Sequence, residues 1–172
     1  MKKNTGYLFW ITGLSGSGKT TLSKEILEYV NKEYGNTIVL SGDNLRDACN
    51  FKKFDRASRL KYAMSYAKFC KEITDNKINL IFATVSLFKK VRNWNRKNIK
   101  NYVEIYIESD IKKLIKQGKK FFYKGNYKNI IGKNIKAEYP KSPHITIKNN
   151  FNKSVNVLAK ELINKINKII KL

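Results

Sequence analysis

A glycine-rich run near the start of the chain has the residue types and spacing needed to bind phosphate groups. It consists of Gly13-Leu14-Ser15-Gly16-Ser17-Gly18-Lys19-Thr20 and matches the pattern G-x-x-x-x-G-K-[ST] at every position. In such a loop, backbone N–H groups converge on phosphate oxygens at the positive end of the helix that follows. We therefore expect this run and Thr21 to bind ATP, with Lys19 contacting the β- and γ-phosphates and the Thr20 hydroxyl binding Mg²⁺.

The sequence lacks motifs that several classes of P-loop protein need, which limits the reactions that its γ-phosphate site could serve. It contains no Asn-Lys-x-Asp run, which a guanine-specific GTPase would need. The third apolar run, Ile81-Phe82-Ala83-Thr84-Val85-Ser86, ends without the acidic pair typical of motor and helicase ATPases. A chain of 172 residues is also short for such machines. Its length suits a kinase of small metabolites or nucleotides.

A second polar motif, Ser41-Gly42-Asp43-Asn44-Leu45-Arg46, directly follows the apolar run from Thr37 to Leu40. If that run is a strand, the motif lies at its carboxyl end, where ligands collect in open α/β sheets. The sequence therefore predicts that this motif faces the phosphate loop.

The elements that would position both motifs alternate between short apolar runs and helical periodicity, which is typical of an α/β fold with a mainly parallel sheet. The periodicity predicts five strands near residues 7–12, 37–40, 78–84, 102–107 and 144–147, and helices near 20–32, 55–74, 110–117 and from 152, with a short helix through Trp94. Residues 118–141 lack clean periodicity and are rich in Lys, Gly and aromatic residues, as expected for a lid. We predict a single three-layer domain over residues 1–172 with a mobile lid at about 118–141.

The positive charge of the chain is also compatible with a second class of function, nucleic-acid binding. The sequence carries 36 Lys and Arg against 13 Asp and Glu, a formal net charge of +23. Such an excess can indicate a nucleic-acid-binding P-loop protein, for example a polynucleotide end kinase. The basic residues are mostly Lys spread along the whole chain, however, which favours a solvated surface. The rare arginines are Arg46, Arg56, Arg59, Arg92 and Arg96, and a position that keeps Arg where Lys is the default indicates a geometric requirement.

Other features of the composition bear on the compartment. Hydrophobic residues make up 42% of the chain, enough for a core, but no run approaches the roughly 18 apolar residues of a membrane span. Cys49 and Cys70 are too few for a disulfide framework. The first apolar run is not followed by a signal-peptide cleavage site. We therefore expect a cytoplasmic protein.

The two motifs together resemble those of the adenylylsulfate kinase family, P-loop kinases that phosphorylate the ribose 3′-hydroxyl of adenylylsulfate. The family usually shows G-L-S-G-[SA]-G-K-[ST], which the phosphate loop matches. It also shows D-G-D-N-x-R, which the second motif matches from Gly42 onward. Phe51 followed by Asp55-Arg56 resembles its F-S-x-x-D-R, and Ser86 stands where its F-I-S-P serine falls. The resemblance implies the P-loop kinase fold, ATP and Mg²⁺, a small nucleotide as acceptor, and the homodimer that related kinases often form.

The resemblance also implies roles for charged residues. Asp43, with Lys19, would be catalytic and would orient or deprotonate the attacking hydroxyl, where positioning matters more than basicity. Arg46 and Arg56 would hold the 5′-linked anhydride, because a planar two-pronged donor suits it better than an ammonium. Two structural alternatives stand beside these roles: Asp43 as a helix N-cap and Arg56 as a surface ion-pair partner.

Three further residues belong to the acceptor pocket by the same resemblance. Phe51 would stack on the base, with a core position as its alternative. Asn44 follows the catalytic aspartate in the motif. Ser86 corresponds to a substrate-pocket residue that is sometimes described as a phosphoserine in the family.

The departures from the family pattern gather around the acceptor. Ser41 replaces the first Asp of D-G-D-N, and Arg59 adds a cation where the family has Asn. Ile130 replaces the Phe that closes the second face of the base clamp, which would lose about 1–3 kcal/mol of stacking. One branch of the family acts on cytidine diphosphoramidate in bacterial capsule phosphoramidate synthesis. A smaller pyrimidine and an extra cation fit that substrate, and adenylylsulfate, converted to 3′-phosphoadenylylsulfate in sulfate assimilation, is the alternative.

Overall fold

The computed structural model describes residues 5–118 and 121–170, in which a five-stranded sheet lies between two layers of helices. The strands are β1 (Leu8–Gly13), β2 (Thr37–Ser41), β3 (Asn79–Thr84), β4 (Tyr102–Glu108) and β5 (Ile145–Lys148). Their order in the sheet is β2-β3-β1-β4-β5, and all the pairings between them are parallel. The predicted α/β fold with five strands is therefore confirmed.

The helices of the described residues cover both faces of the sheet. They are α1 (Lys19–Glu25), α2 (Leu27–Tyr34), α3 (Gly42–Ala48), α4 (Arg56–Asp75), α5 (Lys89–Asn98), α6 (Ile111–Lys116) and α7 (Val155–Ile170). Side chains of α4 and α5 pack in one core cluster, and those of α1, α2 and α7 pack in the other. Along β1, Leu8 and Trp10 point into the first cluster while Phe9 and Ile11 point into the second. Covered on both faces, β1 and β3 are mostly apolar, which is why the sequence predicts them well.

Two helical details differ from the prediction. The single helix expected over residues 20–32 is divided at Ile26, whose φ of −89° and ψ of −3° lie at the edge of the right-handed helical region. Its carbonyl still accepts the Val30 N–H at 2.9 Å. Helix α3 was not expected, because it is short and its residues are mostly polar. The Ser41 side chain caps α3 by accepting the N–H of Asn44 at 3.1 Å. Asp43 therefore lies in the first turn of α3 and is not its N-cap.

The predicted lid connects α6 to β5, and its residues 119 and 120 lie outside the described residues. The described part contains a 3₁₀ turn at Phe121–Tyr123 and an isolated bridge between Ile131 and Ile135. Near its end, the Glu138 carboxylate accepts hydrogen bonds from the Arg56 guanidinium and from the Lys89 N–H, each at 2.6 Å. These bonds tie the end of the lid to the starts of α4 and α5.

A buried ion cluster joins α5 to β4. Glu104 is fully buried, and its carboxylate lies 2.8 Å from Nη2 of Arg96 and 3.4 Å from Nε of Arg92. The backbone N–H of Glu104 donates to Nδ1 of His144 at 2.8 Å. Burial is the main cause that lowers the pKa of His144, and the nearby Arg96 lowers it further. The imidazole is therefore held neutral, with Nδ1 as an acceptor.

Among residues 5–118 and 121–170, no helix has both the length and the apolar character needed to cross a membrane. Cys49 is exposed, Cys70 is buried, and both are free thiols. Burial raises the pKa of the Cys70 thiol well above its usual value.

Candidate active site

The glycine-rich run forms the turn between β1 and α1, at the carboxyl end of the central strand. Gly13 ends β1, and a Cβ at this position would lie 2.6 Å from the carbonyl oxygen of Ile107, so no other residue fits without a shift. Lys19 begins α1, and its ammonium donates to the carbonyl oxygen of Leu14 at 2.7 Å. The backbone turn and the ammonium thus stand together at the start of a helix, as the binding of a phosphate chain requires.

A cavity of about 590 Å³ runs across the carboxyl ends of the strands. The phosphate loop and the first turn of α1 line its middle with Ser15, Gly16, Gly18, Lys19, Thr20 and Thr21. Toward β2, the wall includes Gly42, Asp43, Arg46, Lys53, Phe54, Arg59, Tyr62 and Tyr66, which we call the α3–α4 half. Toward β5, it includes Gln117, Asn149, Phe151, Lys153, Ser154 and Val155, which we call the C-terminal half. Gly13, Leu14 and Ser17 are buried behind this wall.

The α3–α4 half brings a carboxylate and a guanidinium together. Asp43 and Arg46 lie one turn apart on α3, with Oδ1 of Asp43 2.8 Å from Nη1 of Arg46. The Asp43 side chain is 69% exposed, so the carboxylate remains accessible from the cavity. A carboxylate placed here can accept a proton from a hydroxyl bound beside the phosphate loop.

A second guanidinium lies beside the first, around an aromatic ring. The guanidinium carbons of Arg46 and Arg59 lie 5.3 and 5.2 Å from the ring centroid of Phe54. Arg59 is fixed by hydrogen bonds from Nε to the carbonyl of Phe54 (2.7 Å) and from Nη2 to the carbonyl of Asn129 (2.9 Å). Burial first, and the neighbouring Arg46 second, lower the pKa of Arg59, and a bound anion would relieve this repulsion. The pair is thus suited to an anionic group.

Phe51 and Arg56 are not brought into the cavity wall, contrary to expectation. The backbone turns at Asn50, which has a φ of 53°, and the Phe51 ring stacks on Tyr62 at 4.1 Å with an interplanar angle of 4°. Arg56 pairs with Glu138 at 2.6 Å and lies over the ring of Phe88. The predicted base-stacking role of Phe51 and the predicted anhydride contact of Arg56 do not fit these positions. Arg56 instead forms the ion pair that was its alternative.

Ile130 and Asn44 also lie outside the cavity wall. Ile130 is buried in the core cluster beside α4, and the next residue, Ile131, lines the cavity. The side chain of Asn44 hydrogen bonds with the capping hydroxyl of Ser41. Ser86 lines the cavity but is buried, and its backbone carbonyl accepts the Thr12 hydroxyl at 3.2 Å. Asp43, Arg46, Arg59 and Ser86 are therefore the predicted acceptor residues that the fold assembles.

Several cavity residues were missed from the sequence. Phe54, three residues after Phe51, lines the cavity and is 43% exposed, and Tyr62 and Tyr66 follow at helical spacing on α4. Burial raises the pKa of Tyr66 to about 12, so its hydroxyl stays protonated at neutral pH. The i, i+4 spacing of the tyrosines was a usable signal for one face of α4.

Asn149, also missed, connects the C-terminal half to the phosphate loop. Its Nδ2 donates to the carbonyl of Ser17 at 3.0 Å, and its Oδ1 accepts the N–H of Phe151 at 3.0 Å. Phe151 has a φ of 62°, an uncommon backbone conformation that this bond stabilises. An asparagine after a predicted strand gives no sign of so distant a contact.

The residues present fit a magnesium ion that is bound mainly through ATP. In phosphoryl-transfer sites Mg²⁺ takes few protein oxygens and completes its shell with phosphate and water oxygens. The described part of the chain contains no group of three or more His, Cys, Asp or Glu that could hold a metal. Thr20 lines the cavity, and its hydroxyl is an oxygen ligand of the kind that this ion prefers.

Comparison with known proteins identifies the family to which the chain belongs. The family model described as adenylylsulphate kinase matches residues 5–148. The chain belongs to the adenylylsulfate kinase family. As a member it is a P-loop kinase, a phosphotransferase that uses ATP and acts on small nucleotides.

Relatives within the family differ in their named substrates. A cytidine diphosphoramidate kinase of Campylobacter jejuni is 36% identical over 167 residues, covering 93% of this chain and 98% of that protein. An adenylyl-sulfate kinase of Clostridium acetobutylicum is 35% identical over 156 residues, covering 86% of this chain and 76% of that protein. The fold matches the APS kinase of Mycobacterium tuberculosis, solved with AMPPNP and APS, with a TM-score of 0.83 at 22% identity over 95% of this chain and 99% of that one.

Proposed function

We propose that the protein transfers the γ-phosphoryl group of ATP to the ribose 3′-hydroxyl of a small nucleotide with a 5′-linked anionic group, and that its acceptor is cytidine diphosphoramidate. The observation that carries the proposal is the shared cavity: the Asp43 carboxylate and the Arg46–Arg59 pair line the same space as the phosphate loop. A kinase needs these three groups to hold the donor, aim the hydroxyl and fix the rest of the acceptor.

Each of these residues has a role in a single phosphoryl-transfer step. The acceptor oxygen forms a bond to Pγ, the bond from Pγ to the β,γ-bridging oxygen breaks, ADP leaves, and Asp43 accepts the hydroxyl proton. Lys19 neutralises charge on the β- and γ-phosphates from the start of α1. Thr20 would hold Mg²⁺, which supplies charge neutralisation and alignment of the phosphates when bound.

The 5′ group of the acceptor would lie between Arg46 and Arg59, with Lys53 lining the same wall. Two planar guanidiniums can bind a diphosphate-like group through paired hydrogen bonds. Phe54, between them, offers its ring to the nucleotide, while Ile131 lies where the lid meets the cavity. The exposed Phe54 ring can take a small pyrimidine base, and the named substrate of the Campylobacter jejuni relative supports the same choice. The pathway would then be capsule phosphoramidate synthesis.

Adenylylsulfate is the second candidate acceptor, because the matched family model and the Clostridium acetobutylicum relative bear that name. Side-by-side measurement of ADP release with Mg·ATP would compare cytidine diphosphoramidate, adenylylsulfate, CDP and mononucleotides. We expect kcat/KM to be at least about tenfold higher with cytidine diphosphoramidate, and phosphorus NMR of the product to locate the new ester at the 3′ position. A preference for adenylylsulfate would reject the proposed substrate, and activity with neither, in a protein that binds AMPPNP, would reject the proposed reaction.

The net charge of +23 defines the competing class, a polynucleotide kinase. That class predicts ADP release stimulated by an oligonucleotide and not by small nucleotides. We expect oligonucleotide binding that weakens steeply with salt and does not stimulate turnover, because spread lysines contact phosphates without sequence or end recognition.

We further propose that residues 1–172 act as one kinase domain with a mobile lid, in the cytoplasm and as a homodimer. Light scattering of the purified protein would test the homodimer.

A further inference from the structure

The part of the lid at residues 121–138, which we call the lid segment, contacts the phosphate loop at two points. The hydroxyl of Tyr123 donates to the carbonyl oxygen of Ser15 at 3.2 Å, and its ring is only 3% exposed. Gly132, with a φ of +88°, passes so close to Leu14 that a Cβ on it would lie 2.6 Å from Cδ2 of that residue. Leu14 and Ser15 are consecutive in the loop, so the lid segment packs on the part of the phosphate loop that directly follows β1.

The two contacts belong to one braced unit. The ammonium of Lys133 donates to the carbonyl of Tyr123 at 3.0 Å and also to the carbonyl of Gly125. The N–H of Gly132 donates to the carbonyl of Ile135 at 2.9 Å. Burial raises the pKa of Tyr123 to about 12, so its hydroxyl remains a donor at every pH at which the protein would act. The segment is therefore braced internally where it contacts the loop.

The loop residues at these contacts also hold the lysine that meets the phosphates. The carbonyl of Leu14 accepts the Lys19 ammonium at 2.7 Å, and Ser15 lines the cavity. A change in the position of Leu14 or Ser15 therefore changes both the lysine and the backbone N–H groups that face the triphosphate. We propose that Tyr123 and Gly132 are positioning residues that hold the phosphate loop in its ATP-binding form. This inference rests on the proposed function only in taking ATP as the donor.

Removal of one hydroxyl tests the first contact. In Tyr123→Phe the buried ring is kept and the bond to Ser15 is lost, which we expect to weaken Mg·AMPPNP binding about threefold to tenfold in calorimetry without an acceptor. Tyr29→Phe is the matched control, since it removes a tyrosine bond to Asn167 of 2.6 Å between residues that do not line the cavity. KM for the acceptor should be unchanged in both variants. Equal AMPPNP affinity in the Tyr123 variant, the control and the unaltered protein would overturn the proposal.

A pair of glycine substitutions tests the second contact. Gly132→Ala and Gly118→Ala both place a Cβ at a positive φ, of 88° and 61°. A Cβ at Gly118 would meet nothing within 4 Å, so this variant carries the backbone strain without the clash against Leu14. We expect Gly132→Ala to bind AMPPNP more weakly than Gly118→Ala at a similar melting temperature. Equal losses in the two variants would assign the effect to strain and contradict a positioning role.

The readout separates this inference from the proposed function. AMPPNP binding needs no acceptor, so a protein that binds it normally and phosphorylates none of the tested nucleotides rejects the proposed reaction alone. A protein that phosphorylates cytidine diphosphoramidate, and whose Tyr123→Phe variant keeps full AMPPNP affinity, rejects the positioning role alone.

Discussion

The Asp43 carboxylate lies on the first turn of α3, paired with Arg46 and open to the cavity. Asp43→Asn keeps the shape but cannot accept the hydroxyl proton, so we expect kcat to fall about 100-fold or more with KM for ATP unchanged. Asp47→Asn is the matched control, since Asp47 is 3.9 Å from Arg46, 79% exposed and outside the cavity wall. Steady-state kinetics of both variants would decide, and near-normal kcat in the Asp43 variant would remove its role.

Arg59 permits a second test at the scale of one residue. Arg59→Lys keeps the charge but loses the planar group that lies over Phe54 and bonds to the carbonyls of Phe54 and Asn129. We expect KM for the acceptor to rise about tenfold while KM for ATP stays constant. An effect of the same size on KM for ATP would show that Arg59 does not belong to the acceptor side.

Among single residues, the sequence predicted the contacts that follow from close spacing within one motif. It did not predict positions that depend on the course of the backbone between motifs. Asp43 and Arg46 are one helical turn apart, so their motif brings them together wherever it folds. Phe51 was assigned by its distance from Asp55-Arg56, but the turn at Asn50 rotates it onto Tyr62 and leaves Phe54 in the cavity.

Helix α3 as an element depends on its N-cap residue, Ser41. Ser41 accepts the N–H of Asn44 and thereby fixes the turn that carries Asp43. Ser41→Ala should lower the free energy of unfolding by about 1 kcal/mol in urea titration, and kcat should fall with it. Ser41→Thr keeps the hydroxyl in an extended backbone that suits a β-branched residue, so it should retain both. Identical stability of the alanine and threonine variants would contradict the capping role.

The central strands β1 and β3 were predictable as elements because burial on both faces makes them mostly apolar, whereas α3 was not predictable. A seven-residue helix capped by a side chain has neither the length nor the periodicity that indicates a helix from sequence alone. The lid was predicted from a lack of periodicity, but the contacts of this segment with the phosphate loop come from residues more than 100 positions away from it. Distant contacts of this kind leave no local pattern.

The whole molecule contains a single histidine, so one group dominates its response near pH 6.5. His144 accepts the Glu104 N–H and has a lowered pKa in the fold, so in acid the unfolded chain binds a proton that the folded one does not. Stability should therefore be complete above about pH 6.5 and fall as the pH decreases below that value. Urea midpoints between pH 7.5 and 5.5 should show this loss, and His144→Asn should remove most of it. An unchanged slope in that variant would assign the pH response to other groups.

The bond from Asn149 to the carbonyl of Ser17 joins residues 132 positions apart. Since synthesis proceeds from the N-terminus, the glycine loop leaves the ribosome long before the asparagine that supports it from below. A nucleotide that binds the assembled loop therefore stabilises the finished fold as a whole, including the last strand, which brings Asn149 to the loop.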